Sequence, residues 1–200
     1  MIAIVDYGMG NLRSVTNAFA HLGAPITVTR EKAVIKDARA IVLPGVGAFG
    51  KCMENLKRFD LLHVLKEEIL SGKPYLGICL GLQMLFASSE EAPGIEGMGL
   101  FKGRVVKFKN NLKVPHMGWN QVEQMKGSRI FDGINQGEHF YFVHSYYPEP
   151  EEAVAATTTE YGGVFTSSIE RENIFACQFH PEKSQKKGLH LLQNFINLCE

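Results

Sequence analysis

Over the first 90 residues, short apolar runs alternate with segments of helical periodicity, and few architectures accommodate that alternation. "IAIV" at 2–5 reads as a strand ending at Asp6. "NLRSVTNAFAHLG" follows, with Leu12, Val15, Phe19 and Leu22 at helical spacing and Gly23 as the stop signal. "ITVT" at 26–29 is a second strand, and "AIVL" at 40–43 a third, broken by Pro44. "LLHVLKEEILS" at 61–71 reads as a helix closed by Gly72. "PYLGI" at 74–78 is a fourth, buried strand, and 80–87 a helix. Strands and helices in this order predict βαβ units, with a parallel sheet covered on both faces.

The second half changes character. "GRVVKF", "HFYFVHSYY", "AVAATT", "VFTSSIE" and "IFACQF" are short strand-like runs with turns between them. "SIERENIFA" reads as a hairpin around 171–173, and "GLHLLQNFINL" as a closing helix. The expected fold is α/β: an open, mostly parallel sheet with helices on both faces and antiparallel additions in the C-terminal half. Without a linker, repeat or low-complexity stretch, residues 1–200 are expected to form one domain.

Charge narrows the function classes. Lys plus Arg and Asp plus Glu both total 21, so the balance leaves no electrostatic footprint for nucleic acid or an anionic membrane. In "FKGRVVKFKNNLK", Lys102, Arg104, Lys107 and Lys109 read as the solvated side of a strand. The opening "MIAIVDYG" lacks the basic region and apolar length of a signal peptide. No apolar run approaches the roughly 18 residues needed to span a bilayer. The four cysteines form no C-x-x-C pair and no zinc-like spacing, which suits a cytosolic protein with free thiols.

Gly77-Ile78-Cys79-Leu80-Gly81 has the G-x-nucleophile-x-G frame, with sulfur in place of the usual hydroxyl. Small residues on both sides let a strand turn abruptly into a helix. The helix N-terminus favours thiolate over thiol, and the Leu80 N–H is placed to meet a developing oxyanion. The pentapeptide alone leaves a buried structural cysteine open as the other reading. Cys52, Cys177 and Cys199 lack the frame and read as structural.

A thiolate needs a proton carrier, and "FACQFHPEKS" offers one among seven histidines. Pro181 favours extended geometry at His180, so His180 and Glu182 can point to the same side. Glu182 then holds the imidazole's tautomer while His180 faces the sulfur. "PGVGAFG" at 44–50 spells G-x-G-x-x-G, but the acid that a dinucleotide site needs about 20 residues on would fall within a helix. The glycines at 45 and 47 suit instead a loop whose peptide N–H, that of Val46, turns towards an oxyanion.

Together these residues resemble the class I (triad) glutamine amidotransferases: "GICLGLQ", "PGVG" and "HPE" occur in family order along the whole chain. "DYGMGNLRSV", "LPGVGAFG", "VPHMGWN", "FYFVHSYY" and "QFHPEKS" look like the glutaminase subunits of imidazole glycerol phosphate synthases, from histidine biosynthesis. Related glutaminases serving pyridoxal phosphate synthesis typically carry Gly-Gly-Glu-Ser where this chain has Gly-Val-Gly. The resemblance implies hydrolysis of glutamine through a thioester on Cys79, with His180 shuttling the proton and Glu182 orienting it. No cofactor is implied. Ammonia would pass to a separate (β/α)₈ cyclase, which forms imidazole glycerol phosphate and aminoimidazole carboxamide ribotide. By motif, glutamine contacts fall on Gly47, Gln83, Glu91, Ser145 and Tyr146, and Met117, Trp119, Tyr141 and Lys183 lie towards the partner. The alternatives are another class I glutaminase subunit, a free-standing cysteine hydrolase, and a non-catalytic subunit that kept the fold.

Overall fold

The computed structural model describes residues 1–109, 112–125 and 127–199. In chain order its first strands are β1 (Ile2–Val5), β2 (Ile26–Thr29), β3 (Ala40–Gly45) and β4 (Tyr75–Cys79). Between and after them come α1 (Leu12–His21), α2 (Lys32–Asp37), α3 (Phe49–Arg58), α4 (Leu62–Leu70) and α5 (Leu80–Gln83). Then follow β5 (Gly103–Lys107), β6 (His116–Gln124), β7 (Glu138–His144), β8 (Tyr146–Pro150), β9 (Ala155–Glu160), β10 (Val164–Arg171) and β11 (Ile174–Cys177). The helix α6 (Gln185–Leu198) comes last.

Among the described residues, one nine-stranded sheet runs β2-β1-β3-β4-β11-β10-β9-β6-β7. Its first five strands are parallel and the remaining pairings antiparallel. The two-residue period of a strand explains the cores on either side. Ala3, Val5, Ile41 and Leu43 point to one face, where Ile35 of α2, Met53 and Leu56 of α3 and Leu65 of α4 cover them. Ile2, Ile4, Val42 and Leu76 point to the other, under Val15 and Phe19 of α1 and Leu191 and Phe195 of α6. Among the described residues no helix is long and apolar enough to cross a membrane.

Several expectations change. β3 does not break at Pro44 but runs on to Gly45. Its pairing with β1 ends at Val42, so beyond that point only β4 needs its ladder, and a residue without an N–H is accommodated. The helix expected over 80–87 is only α5. The Tyr75 hydroxyl takes the Gly81 carbonyl at 2.7 Å, and Leu85 N–H and Phe86 N–H fall back on Leu82 O and Gln83 O at 3.1 and 3.2 Å. An incoming segment takes the carbonyls a longer helix would use. Met98 N–H donates to Met84 O at 2.7 Å, Leu100 N–H to Leu85 O at 2.8 Å and Gly97 N–H to Ala87 O at 2.9 Å. "HFYFVHSYY" divides at Ser145 into β7 and β8, and β8 pairs with β5 in a separate two-stranded ribbon. The hairpin at 171–173 is present, with Arg171 opposite Ile174 and Glu172 at φ +53°. In the basic stretch Lys102, Arg104, Lys107 and Lys109 are exposed, while Val105 and Val106 are both buried between them. Its two asparagines, 110 and 111, lie outside the described residues.

The turn from β4 into α5 depends on close backbone approach. A Cβ on Gly77 would stand 2.5 Å from the Gly81 carbonyl oxygen, and one on Gly81 would stand 2.0 Å from that of Leu43. Both obstacles are main chain, which cannot rotate aside. Gly81→Ala is therefore expected to cost about 3 kcal/mol or more, the upper end of overpacking effects. Gly72→Ala, which meets no atom within 4 Å but stands at φ +95°, reports backbone strain alone. Denaturant unfolding of both variants checks this; equal losses would contradict the steric account.

Candidate active site

Three neighbouring parallel strands end together, and their carboxyl ends supply the site, the usual location for chemistry in such sheets. β3 ends at Gly45, directly opposite Cys79 at the end of β4, and Cys177 of β11 lies opposite Ile78. The chain beyond β11 continues through Gln178 to His180. Sequence-distant segments thus meet around one sulfur.

Cys79 stands at φ +56°, a conformation that non-glycine residues rarely adopt. Backbone strain of this kind persists only where the surroundings enforce it, here the two glycine contacts described above. The thiol is buried, 5% exposed, and it is the last residue before α5. The other three cysteines are also buried. Burial pushes Cys52 up to about 11 and Cys177 well above the ordinary thiol range, so neither is poised to ionise.

His180 accompanies the sulfur. Its Nδ1 lies 2.9 Å from Glu182 Oε1, with side-chain exposures of 1% and 0%. Nε2 makes no hydrogen bond and is left to the Cys79 side. Burial opposes charge on this ring, but the Cys79 sulfur and the Glu182 carboxylate together outweigh it and raise its pKa to about 10.

Two other buried histidines behave oppositely. Asn120 Nδ2 donates to His116 Nε2 at 3.1 Å, leaving His116 Nδ1–H to donate to His144 Nε2 at 3.0 Å. His144 Nδ1–H then donates to the Tyr146 carbonyl at 2.8 Å. This order of donors is consistent with two neutral rings. Burial pushes His116 down to about 4 and His144 to about 3. Of the three, only His180 is held as a cation at neutral pH.

A cavity of about 260 Å³ opens on these groups, lined by Val46, Gly47, Cys79, Leu80 and His180. Gln83, Glu91, Ser145 and Tyr146 line it too, so the structure brings together the glutamine contacts named from the sequence. Gly47 stands at φ +104°, and a Cβ there would meet Met9 at 2.7 Å. Glu91 also accepts the Phe49 N–H at 2.7 Å, at the start of α3. Glu182 stands behind His180, outside the cavity wall.

One residue escaped the sequence reading. Gln178 Nε2 donates to Cys79 Sγ at 3.6 Å, while its Oε1 accepts Gln83 Nε2 at 3.0 Å. Gln83 also donates to the Tyr146 carbonyl at 2.9 Å. The available signal was its place two residues before His180 on an extended segment. The four residues expected towards a partner form one face. Met117 and Trp119 are 62% and 47% exposed, the Trp119 ring meets Tyr141 edge-on at 6.0 Å, and Lys183 Nζ lies 5.8 Å from the Tyr141 ring.

The His180 environment predicts a pH signature. Its folded pKa, about 10, lies above the ordinary 6.5, so the folded state holds this proton more tightly. The stabilisation is complete below about pH 6.5 and is lost as the pH rises towards about 10. The difference in melting temperature between wild type and His180→Gln is expected to narrow over that window. A difference that is constant or widens with pH would contradict the assigned charge state.

The family model for class-I glutamine amidotransferases matches residues 3–198. An imidazole glycerol phosphate synthase subunit HisH from Methanothermobacter thermautotrophicus is 50% identical over 198 residues, covering 99% of this chain and 98% of that one. The HisH subunit from Aquifex aeolicus is 52% identical over 199 residues, covering 98% and 96%. Among solved structures, PurLQS from Thermotoga maritima superposes with a TM-score of 0.79 at 19% identity, covering 100% of this chain and 98% of that one. At that identity it speaks for the fold alone. The chain belongs to the class-I glutamine amidotransferases and, within them, to the family of imidazole glycerol phosphate synthase HisH subunits.

Proposed function

We propose that this chain is the glutaminase subunit of an imidazole glycerol phosphate synthase, forming one cytoplasmic glutaminase domain that pairs with a (β/α)₈ cyclase in a heterodimer. The observation that carries the chemistry is the buried His180–Glu182 pair, 2.9 Å apart, beside a cysteine on a glycine-flanked turn. The full-length relatives' names support the acceptor reaction and its place in histidine biosynthesis.

With the proton on His180, the Cys79 thiolate attacks the side-chain amide carbon of glutamine. The carbonyl electrons move to oxygen, and the Leu80 and Val46 N–H groups stabilise the resulting oxyanion. His180 gives its proton to the leaving nitrogen, so ammonia departs and a γ-glutamyl thioester remains. Water then attacks the thioester, His180 takes its proton, and the carbon–sulfur bond breaks to release glutamate. Glu182 keeps Nδ1 protonated throughout and directs Nε2 at the reacting atoms. Gly47, Gln83, Glu91, Ser145 and Tyr146 are the residues that position glutamine. Met117, Trp119, Tyr141 and Lys183 form the docking face.

Activity is switched by the partner through the loop at 45–47. In one orientation the Val46 N–H points away from the oxyanion; in the other it joins the Leu80 N–H. A missing oxyanion donor costs about 10²–10³-fold in rate, or roughly 2.7–4 kcal/mol. Partner and acceptor need supply only that differential affinity to shift the loop.

Two tests follow from these roles. Cys79→Ala is expected to abolish glutamine hydrolysis yet leave an ammonia-driven cyclase reaction intact in the complex. His180→Ala should lose about 10²–10⁴-fold, and Glu182→Gln less; an active Cys79→Ala, or an essential His116 with a dispensable Glu182, would refute the assignments. Glutamine turnover by the chain alone, with cyclase, and with cyclase plus nucleotide substrate tests the switch. The expected order rises across the three, and Val46→Pro removes most of the rise while glutamine still binds. Equal rates in all three would refute it.

A further inference from the structure

We propose that Ser184 is a positioning residue for the proton carrier, its hydroxyl closing a hydrogen-bonded ring that fixes His180 against the free edge of β7. The inference rests on the glutaminase reading above and adds to it a residue outside the triad.

Ser184 occupies the N-cap of α6, where a serine hydroxyl ordinarily accepts an amide of the helix's own first turn. It makes no such bond here. The next residue, Gln185, stands at φ +52°, in the left-handed region that non-glycine residues avoid. Local helix preferences are overridden at two consecutive positions, and the hydroxyl is directed elsewhere.

Its partners are specific. Ser184 Oγ donates to the His180 carbonyl at 2.7 Å and accepts the Tyr141 N–H at 3.0 Å. The Tyr141 carbonyl in turn accepts the His180 N–H at 2.8 Å. A single hydroxyl thus completes a ring holding both main-chain polar groups of His180 and both of Tyr141. The His180 carbonyl also accepts the Lys183 N–H at 3.0 Å, which closes the turn but does not reach β7.

β7 is the last strand of the sheet, so its outer edge has groups to offer. Without the hydroxyl, one main-chain bond would remain between the His180 turn and that edge, and Tyr141 would keep a part-buried, unpaired N–H. The helix α6 presses on the same turn through Gly188, where a Cβ would meet the Pro181 carbonyl at 1.8 Å. Ser184 itself is 1% exposed. Tyr141 is also the residue that meets Trp119 and Lys183 on the docking face. The ring therefore connects that face to His180 through a single strand residue.

The test is Ser184→Ala in the complex of this chain with its cyclase and nucleotide substrate, beside wild type. Misplacement of a catalytic group by about 1 Å costs on the order of 10²-fold, so kcat for glutamine is expected to fall about 10- to 100-fold. KM should change by less than about threefold, since glutamine's binding groups are untouched. In the same complex, the alkaline limb of the kcat profile, where His180 loses its proton, is expected to move to lower pH, because a loosened imidazolium is held less by Glu182 and the sulfur. General destabilisation would not move that limb. An unchanged kcat, a loss confined to KM, or an unmoved alkaline limb in the folded variant would each overturn the inference. Should Ser184→Ala not fold, Ser184→Cys weakens the same two bonds and must show the same kcat-selective loss, or the inference fails. A wild-type complex that leaves glutamine intact would overturn the glutaminase reading, and this inference with it; full wild-type turnover beside an unimpaired Ser184→Ala overturns this inference alone.

Discussion

The Leu43 carbonyl oxygen lies 2.0 Å from the point where any side chain on Gly81 would begin, and the site is built around that approach. It lets α5 start immediately beneath the end of β4, which in turn leaves Cys79 no option but the left-handed region. The helix's first N–H groups, which have no acceptor within the helix, then follow directly on the residue that carries the sulfur. Because β3 pairs with β4 up to Gly45 opposite Cys79, the same contact sets the height of the 45–47 loop above the thiol. A Cβ on Gly45 would meet Leu80 Cβ at 2.6 Å, so that loop is as dependent on missing side chains as the turn it faces.

Electrostatics then assigns the histidines. A buried ring is ordinarily neutral, and His144 follows that rule, with both nitrogens engaged by His116 and the Tyr146 carbonyl. His180 is as deeply buried but has a carboxylate on one nitrogen and sulfur on the other side, which reverse the preference. A buried ion pair is weak evidence of stability in general, and its members are costly to remove singly. Here the pair places charge at a defined atom, and the stability it contributes falls as the pH rises.

Much of this was legible in the sequence, for identifiable reasons. The strands β1, β3 and β4 are nearly continuous apolar runs because both faces are covered, and the glycine frame around Cys79 is a local requirement of a sharp turn. Three elements went unread. Helix α3 carries Phe49, Cys52, Met53 and Leu56 on one buried face, but the glycine-rich loop before it drew the eye to loop structure. The short α2 buries only Ile35, and β6, an antiparallel strand with one open face, shows exposed Met117 and Trp119. The length of α5 is set by the Tyr75 hydroxyl on the Gly81 carbonyl and by N–H groups of residues 97–101 on the carbonyls of Met84, Leu85 and Ala87, a tertiary effect with no local signature. Gln178 and Ser184 are ordinary polar residues by type. Their roles arise only when β11 lands beside β4 and its following turn docks on β7.

The central claim is that Cys79 carries a covalent glutamyl intermediate. Rapid acid quench of the working complex during glutamine turnover, followed by peptide mass spectrometry, tests it most directly. A γ-glutamyl adduct on the peptide containing Cys79 is predicted, absent without glutamine and discharged by hydroxylamine. Turnover of glutamine with no adduct on Cys79, or with the adduct on Cys52, Cys177 or Cys199, would contradict it.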